Sequence, residues 1–132
     1  MSVIKAHDKC MGDLHEDLVK DFYESKYGIT LVKTPEDHPM DFESNGCFYE
    51  VKSRNCFSHT YPTTMIGTNK LNFARGSRRK VFFIFCFKDG IFCYEFNKDH
   101  IFPSKEGGRN DRGEPEYRNY SYILMEYLKK LD

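Results

Sequence analysis

The chain has 132 residues, 20 Lys and Arg against 20 Asp and Glu, and a hydrophobic fraction of 39% that includes 12 Phe and 9 Tyr. This length suits a single domain, 1–132, and the apolar content excludes a disordered polar chain. The longest apolar run, Val81 to Phe87, is too short for a membrane span, and MSVIKAHDKC lacks the apolar stretch of a secretion signal. After a short N-terminal arm, DLHEDLVKDFYESK predicts a helix over 13–26. Its Leu14, Leu18, Val19, Phe22 and Tyr23 fall at helical spacing, and Gly28 sits where a C-terminal cap belongs. A short strand is expected at 29–33, and the prolines at 35 and 39 frame a stiff connector.

In the next segment, Asn45-Gly46 between extended-type residues predicts a tight hairpin, because a type I′ turn needs positive φ at both central positions. With those two residues as the loop, Ser44 faces Cys47, Phe42 faces Tyr49, Asp41 faces Glu50 and Met40 faces Val51. Strand alternation then places Met40, Phe42, Tyr49 and Val51 on a core face. Asp41, Glu43, Phe48, Glu50 and Lys52 share the other.

Residues 53–68 read as a long loop and NKLNFARG as a short helix. VFFIFCF, apolar throughout, predicts a central strand buried on both faces, and Lys88-Asp89-Gly90 turns the chain into a second strand. Residues 103–116 read as a polar, mobile loop. Residues 117–131 read as a C-terminal helix with a stripe of Tyr120, Ile123, Leu124, Tyr127, Leu128 and Leu131. The expected fold is α/β (α+β), a mixed central sheet flanked by helices. Five cysteines without a Cys-x-x-Cys pair read as reduced thiols, so the chain is expected to be intracellular, cytoplasmic or nuclear.

Asp41 and Glu50 carry the chemistry. Directly opposed residues on a sheet face have Cβ atoms about 4.5–5.5 Å apart, where like charges repel. Protonation, solvation or an intervening cation relieves that repulsion, and hard carboxylate oxygens suit Mg²⁺ or Mn²⁺. Lys52, two residues along the same face, adds an ammonium that can stabilise phosphoryl charge or orient a water. Two acids, a dication and a lysine match phosphodiester hydrolysis better than glycoside or peptide chemistry. Two acids and a lysine on an exposed hairpin are also ordinary solvated charges. The register and the basic block that follows favour the catalytic reading.

Pro39-Met40-Asp41, then eight residues, then Glu50-Val51-Lys52, resembles the signature of the PD-(D/E)xK, or restriction-endonuclease-like, nuclease superfamily, with the proline two residues before the aspartate. The order of elements over 10–96 is similar to that core, and the small size resembles Holliday-junction resolvases, which are dimers. The resemblance implies that Asp41 and Glu50 hold Mg²⁺ or Mn²⁺, that the Val51 carbonyl joins them, and that Lys52 assists the attacking water. It also makes Glu16 a candidate ligand from the first helix. Asp13-x-x-Glu16 equally has the spacing of a capping box, so Glu16 is either ligand or cap. His15 reads as a packed histidine and His38 as a loop histidine. A zinc site from His7, Cys10 and His15 lacks a fourth ligand.

The charge is unevenly spread. Residues 1–50 carry eleven acids against five lysines, a balance of −6, whereas residues 51–80 carry seven basic groups and no acid. Arg54, Thr63, Thr64, Lys70, Arg75, Arg78 and Arg79 are the candidate nucleic-acid contacts, with Lys80 extending the track. As alternatives, Thr63 or Thr64 caps the following helix, and the basic cluster at 78–80 solubilises the strand behind it. The expectation is a homodimeric DNA endonuclease selective for substrate structure, without membrane attachment. An RNA endonuclease of the same fold and a catalytically silent nucleic-acid-binding protein are the competing readings.

Overall fold

A strand apolar at every position needs cover on both faces. In the computed structural model, which describes residues 3–106 and 119–132, that strand lies inside a six-stranded sheet. The elements in chain order are helix α1 (Val3–Tyr27), strands β1 (Val32–Lys33), β2 (Phe42–Ser44), β3 (Cys47–Ser53) and β4 (Thr63–Gly67), helix α2 (Thr68–Gly76), and strands β5 (Lys80–Phe87), β6 (Gly90–Glu95), β7 (Ser104–Glu106), β8 (Asn119–Leu124) and β9 (Lys129–Lys130). The large sheet runs β1-β2-β3-β5-β6-β9, with β3 and β5 parallel and the other pairs antiparallel. A smaller sheet runs β4-β8-β7. This is the mixed-sheet α+β architecture expected from the sequence.

Two apolar layers cover the large sheet. Val81, Phe83, Phe85 and Phe87 pack with Leu71 and Ala74 of α2, Ile66 of β4 and Ile123 of β8. Ile84 and Cys86, alternating with them, meet Val19 and Tyr23 of α1 together with Tyr49 and Val51 of β3. Period-two alternation along one strand thus serves both layers.

The α1 helix begins well before the expected start at 13. It continues through Gly12 at a cost of about 1 kcal/mol. Asp13 therefore lies inside the helix, and the capping-box reading of Glu16 is overturned. Leu14 and Leu18, assigned to the buried stripe, are 59% and 49% exposed, while Val19 and Tyr23 make the core contact. Gly28 ends the helix at φ 66°, its N–H donating to the Glu24 carbonyl at 3.1 Å. The strand expected at 29–33 shortens to Val32–Lys33.

The 117–131 segment is not helical over its described residues, 119–131. They form β8, a 3₁₀ turn at Met125–Tyr127 and β9. Ser121 and Ile123 are buried at period two, and pairing with β4 satisfies a backbone that an isolated helix would have satisfied internally. Because β4 ends the 53–68 segment, that stretch is only partly loop. The expected mobile loop begins as β7, and its residues from 107 onward lie outside the described ones. No helix among the described residues is long and apolar enough to cross a membrane.

The hairpin turn forms as expected, with Asn45 at φ 48° and Gly46 at φ 75°. Phe42 pairs with Tyr49, Glu43 with Phe48 and Ser44 with Cys47. Nothing lies within 4 Å of a Cβ built at Gly46, so the cost of adding one is purely conformational. Gly46→Ala is expected to lower stability by about 1–2 kcal/mol in urea unfolding.

Candidate active site

The expected ladder stops one step before the acids. The Asp41 N–H donates to the Tyr49 carbonyl at 3.0 Å, although Tyr49 is already the partner of Phe42. Two residues opposite one form a β-bulge, which breaks the alternation. Met40 consequently packs in the α2 layer and Phe42 in the α1 layer, rather than on one common face. The expected pairs Met40–Val51 and Asp41–Glu50 are therefore absent from the ladder, yet the acids still meet through their side chains.

Thr34, 6% exposed, secures this step. Its N–H donates to the Asp41 carbonyl at 3.0 Å, and its hydroxyl reaches the carbonyls of both Met40 and Asp41. Thr34→Val keeps the shape but removes the hydroxyl, and a loss of about 1–2 kcal/mol is expected in urea unfolding. A variant as stable as wild type would remove Thr34 from this account.

Asp41 Oδ2 accepts the Val51 N–H at 2.8 Å. Burial raises the Asp41 pKa to about 6, and the neighbouring Glu50 carboxyl, within hydrogen-bonding reach, adds to the rise. Glu50 is 1% exposed. Two ammonium groups face its Oε2, Lys70 at 2.9 Å from α2 and Lys52 at 3.7 Å from its own strand. Both contacts are ion pairs, and among the described residues no group hydrogen-bonds this buried oxygen. Lys70 donates instead to the Pro39 carbonyl.

Glu16 comes to the edge of this centre from α1. It bonds Lys33 at 2.9 Å, and burial raises its pKa, an effect that Lys33 opposes and nearby Asp41 reinforces. Among the described residues, no group of three His, Cys, Asp or Glu side chains is arranged to hold a metal, although the Glu16 carboxyl lies within hydrogen-bonding reach of Asp41. His15 bonds the Ser53 hydroxyl, and His38 accepts the Met40 N–H at 3.0 Å while lying against Phe48 and Phe73. His38 sits in a loop, where its ring packs against its aromatic neighbours.

The basic block divides. Arg54 donates to Thr64 Oγ1 at 3.1 Å, to the Ser53 carbonyl at 3.1 Å and to the Met65 carbonyl, and it lies over the Phe85 ring. Thr64 is 5% exposed. Arg54 and Thr64 therefore tie the two sheets together, and neither is free for a phosphate. Thr63 and Thr64 belong to β4 and do not cap α2, whose N-cap is Gly67. Lys70 belongs to the acidic centre. Arg75, Arg78 and Arg79 are exposed, with Arg79 3.6 Å from Glu43 and stacked on Phe48. The sequence carried no signal for Lys33 at the centre, because its place depends on the pairing of β1 with β2.

A hairpin strand bearing Glu50 and Lys52, paired in parallel with a buried central strand and flanked by α1, defines a restriction-endonuclease-like fold of the PD-(D/E)xK type. Residues 7–121 match the model of the family described as "Phage putative PDDEXK endonuclease", and the chain belongs to that family. No curated protein and no solved structure matches it.

Such nucleases generally use divalent metals, and the donors here fit one. The buried Glu50 Oε2, ion-paired but without a hydrogen bond among the described residues, and the adjacent Asp41 carboxyl are hard oxygens whose mutual repulsion a dication relieves.

Proposed function

We propose that the chain is a Mg²⁺- or Mn²⁺-dependent endonuclease that hydrolyses DNA phosphodiester bonds and selects branched or junction substrates. The observation that carries this reading is the buried Glu50 oxygen, without a hydrogen bond among the described residues, beside Asp41 and facing Lys52 and Lys70. Asp41, Glu50 and the Val51 carbonyl would hold the cation, with Glu16 adjoining them. When bound, the cation supplies positive charge to the reacting phosphate and lowers the pKa of water.

The chain's own residues do the rest. Asp41 is oriented by the Val51 N–H and by the Thr34 bonds to the bulge. Lys52 is 37% exposed and so open to substrate, where it orients the attacking water and stabilises charge on the phosphate. Lys70 neutralises Glu50 from behind. Exposed Arg75, Arg78 and Arg79, with Thr63 of β4 as a weaker candidate, would follow the phosphate backbone. Backbone contacts of this kind read shape rather than sequence, which supports structure selectivity.

A homodimer belongs to the proposal. Met11, Leu14 and Leu18 are exposed at helical spacing on α1 and supply an apolar face for it, and sedimentation at micromolar concentration would reveal it. Among the described residues Cys47, Cys56, Cys86 and Cys93 are free thiols, in keeping with the intracellular, reducing location that belongs to this proposal.

The test is a cleavage panel of duplex DNA, four-way DNA junctions and matched RNA, each with and without Mn²⁺. Mn²⁺-dependent cutting of the junction ahead of the duplex is expected. Preference for RNA would move the substrate assignment to the RNA reading. Binding without turnover on any member would leave the silent-binder reading in its place.

A further inference from the structure

The segment joining β3 to β4 is firmly anchored. Arg54 N–H donates to the Cys86 carbonyl at 2.9 Å, and Lys88 N–H donates to the Cys56 carbonyl at 3.0 Å. Ser58 gives its N–H at 2.8 Å and its hydroxyl at 2.6 Å to the Asp89 carboxylate, and these bonds hold that carboxyl below its ordinary range. The segment is thereby fastened to the β5–β6 turn.

Its large apolar side chains nevertheless face solvent. Phe57 is 47% exposed, Tyr61 64%, and Met65 at the start of the next sheet 41%. Phe57 stacks on His59 with ring centroids 5.6 Å apart, and the Lys88 ammonium lies 5.8 Å from the Phe57 ring centre. Phe57, Tyr61, Pro62 and Met65 line a groove of about 480 Å³ that also reaches Arg54 and Phe87. Exposed apolar groups gathered on anchored backbone mark a binding surface.

Position and charge identify the occupant. Alternation along β3 continues the face of Glu50 and Lys52 to Arg54, which lies about 7 Å beyond Lys52. Arg54 is bonded to Thr64 and Met65, which also line the groove, so the groove lies past the Arg54 end of the strand that carries Glu50 and Lys52. Residues 51–80 contain no acid, and the nearby Asp89 is engaged by Ser58. Aromatic rings, the flanking Lys88 ammonium and a lining that holds no carboxylate among the described residues suit the π-face of a nucleobase next to its phosphate. A paired base inside a duplex is already stacked on its neighbours, so only an unpaired one can enter.

We propose that this groove stacks an unpaired nucleobase of the substrate, next to the bond to be cut. The inference rests on the nuclease reading and adds to it a requirement for single-stranded character beside the cleavage point.

Binding in EDTA separates the two claims. Fluorescence anisotropy compares a blunt duplex with the same duplex carrying a single-stranded overhang that contains 2-aminopurine. Wild type is expected to bind the overhang substrate about tenfold more tightly and to quench the 2-aminopurine. Tyr61→Ala and Phe57→Ala should lose both effects while binding the blunt duplex as before, and Tyr61→Phe should retain them. Both positions of change are exposed, and thermal melting verifies that each variant folds. Equal affinity of wild type for the two DNAs, or an overhang preference that survives both Ala substitutions, overturns the groove assignment and leaves the nuclease reading standing. Failure of wild type to bind either DNA overturns both. A wild-type dimer that Phe57→Ala dissociates, with overhang preference unchanged, gives the groove to a second copy of the chain and overturns the proposal.

Discussion

Lys52→Ala is expected to reduce Mn²⁺-dependent cleavage by about 100- to 1000-fold, the usual loss when one preorganised electrostatic group is removed from a reacting centre. Little stability should go with it. Lys52 is 3.7 Å from the buried Glu50 but is itself 37% exposed, and it is the more distant of the two cations there. Lys70 approaches the same Glu50 oxygen at 2.9 Å and keeps it neutralised in the variant. Initial rates on the preferred substrate, measured beside thermal melting of the same samples, make the test. A variant that melts normally and cuts normally would remove Lys52 from the chemistry.

The second large effect is a pH dependence of the metal-free chain. Asp41 has its folded pKa at about 6, above the ordinary 3.8, so between those values the folded state holds a proton that the unfolded state has lost. Stability in EDTA should therefore fall as pH rises from about 4 to about 6 and level off above. A shift of about two units corresponds to about 3 kcal/mol. Because the residue is only partly buried, solvent screening trims this to about 1–2 kcal/mol. Asp41→Asn abolishes the charge while its amide oxygen can still accept the Val51 N–H. The variant should be more stable than wild type at pH 7 by that amount, with a flatter profile, and inactive at every pH. Glu16, whose pKa is also raised, leaves a residual slope of the same sign. Urea unfolding at pH 4.5 and pH 7 reads both chains, and a wild type that gains stability across that interval contradicts the burial of these acids.

This trade of stability for a repelling acid pair was partly legible in the sequence. The Asn45-Gly46 turn is local chemistry, so it gave the hairpin and its register from Phe42 to Tyr49, and with them the proximity of Asp41 to Glu50 and Lys52. The apolar run after Lys80 likewise revealed the central strand. What remained hidden depends on distant chain. The bulge at Asp41 is held by Thr34, and a period-two count across it misplaced Met40. Lys33 and Lys70 reach the centre through the pairing of β1 and the docking of α2, neither of which is a local pattern. Arg54 read as a phosphate contact because charge is visible in a sequence, whereas its carbonyl and hydroxyl acceptors on β4 are not. In the tail, Tyr120, Ile123, Leu124 and Tyr127 happen to fit a helical stripe. Ser121 and Ile123 also fit a strand, and the free edge of β4 decided between them.

Calorimetric titration of the metal-free chain with Mn²⁺ at pH 6 measures the central claim most directly, with Asp41→Asn titrated in parallel. Wild type should bind the ion and release protons, seen as a heat that changes with the ionisation enthalpy of the buffer, because Asp41 is partly protonated there. The variant should bind far more weakly and release none. Equal binding by the two chains, or no binding by wild type, would contradict a metal centre built on Asp41 and Glu50.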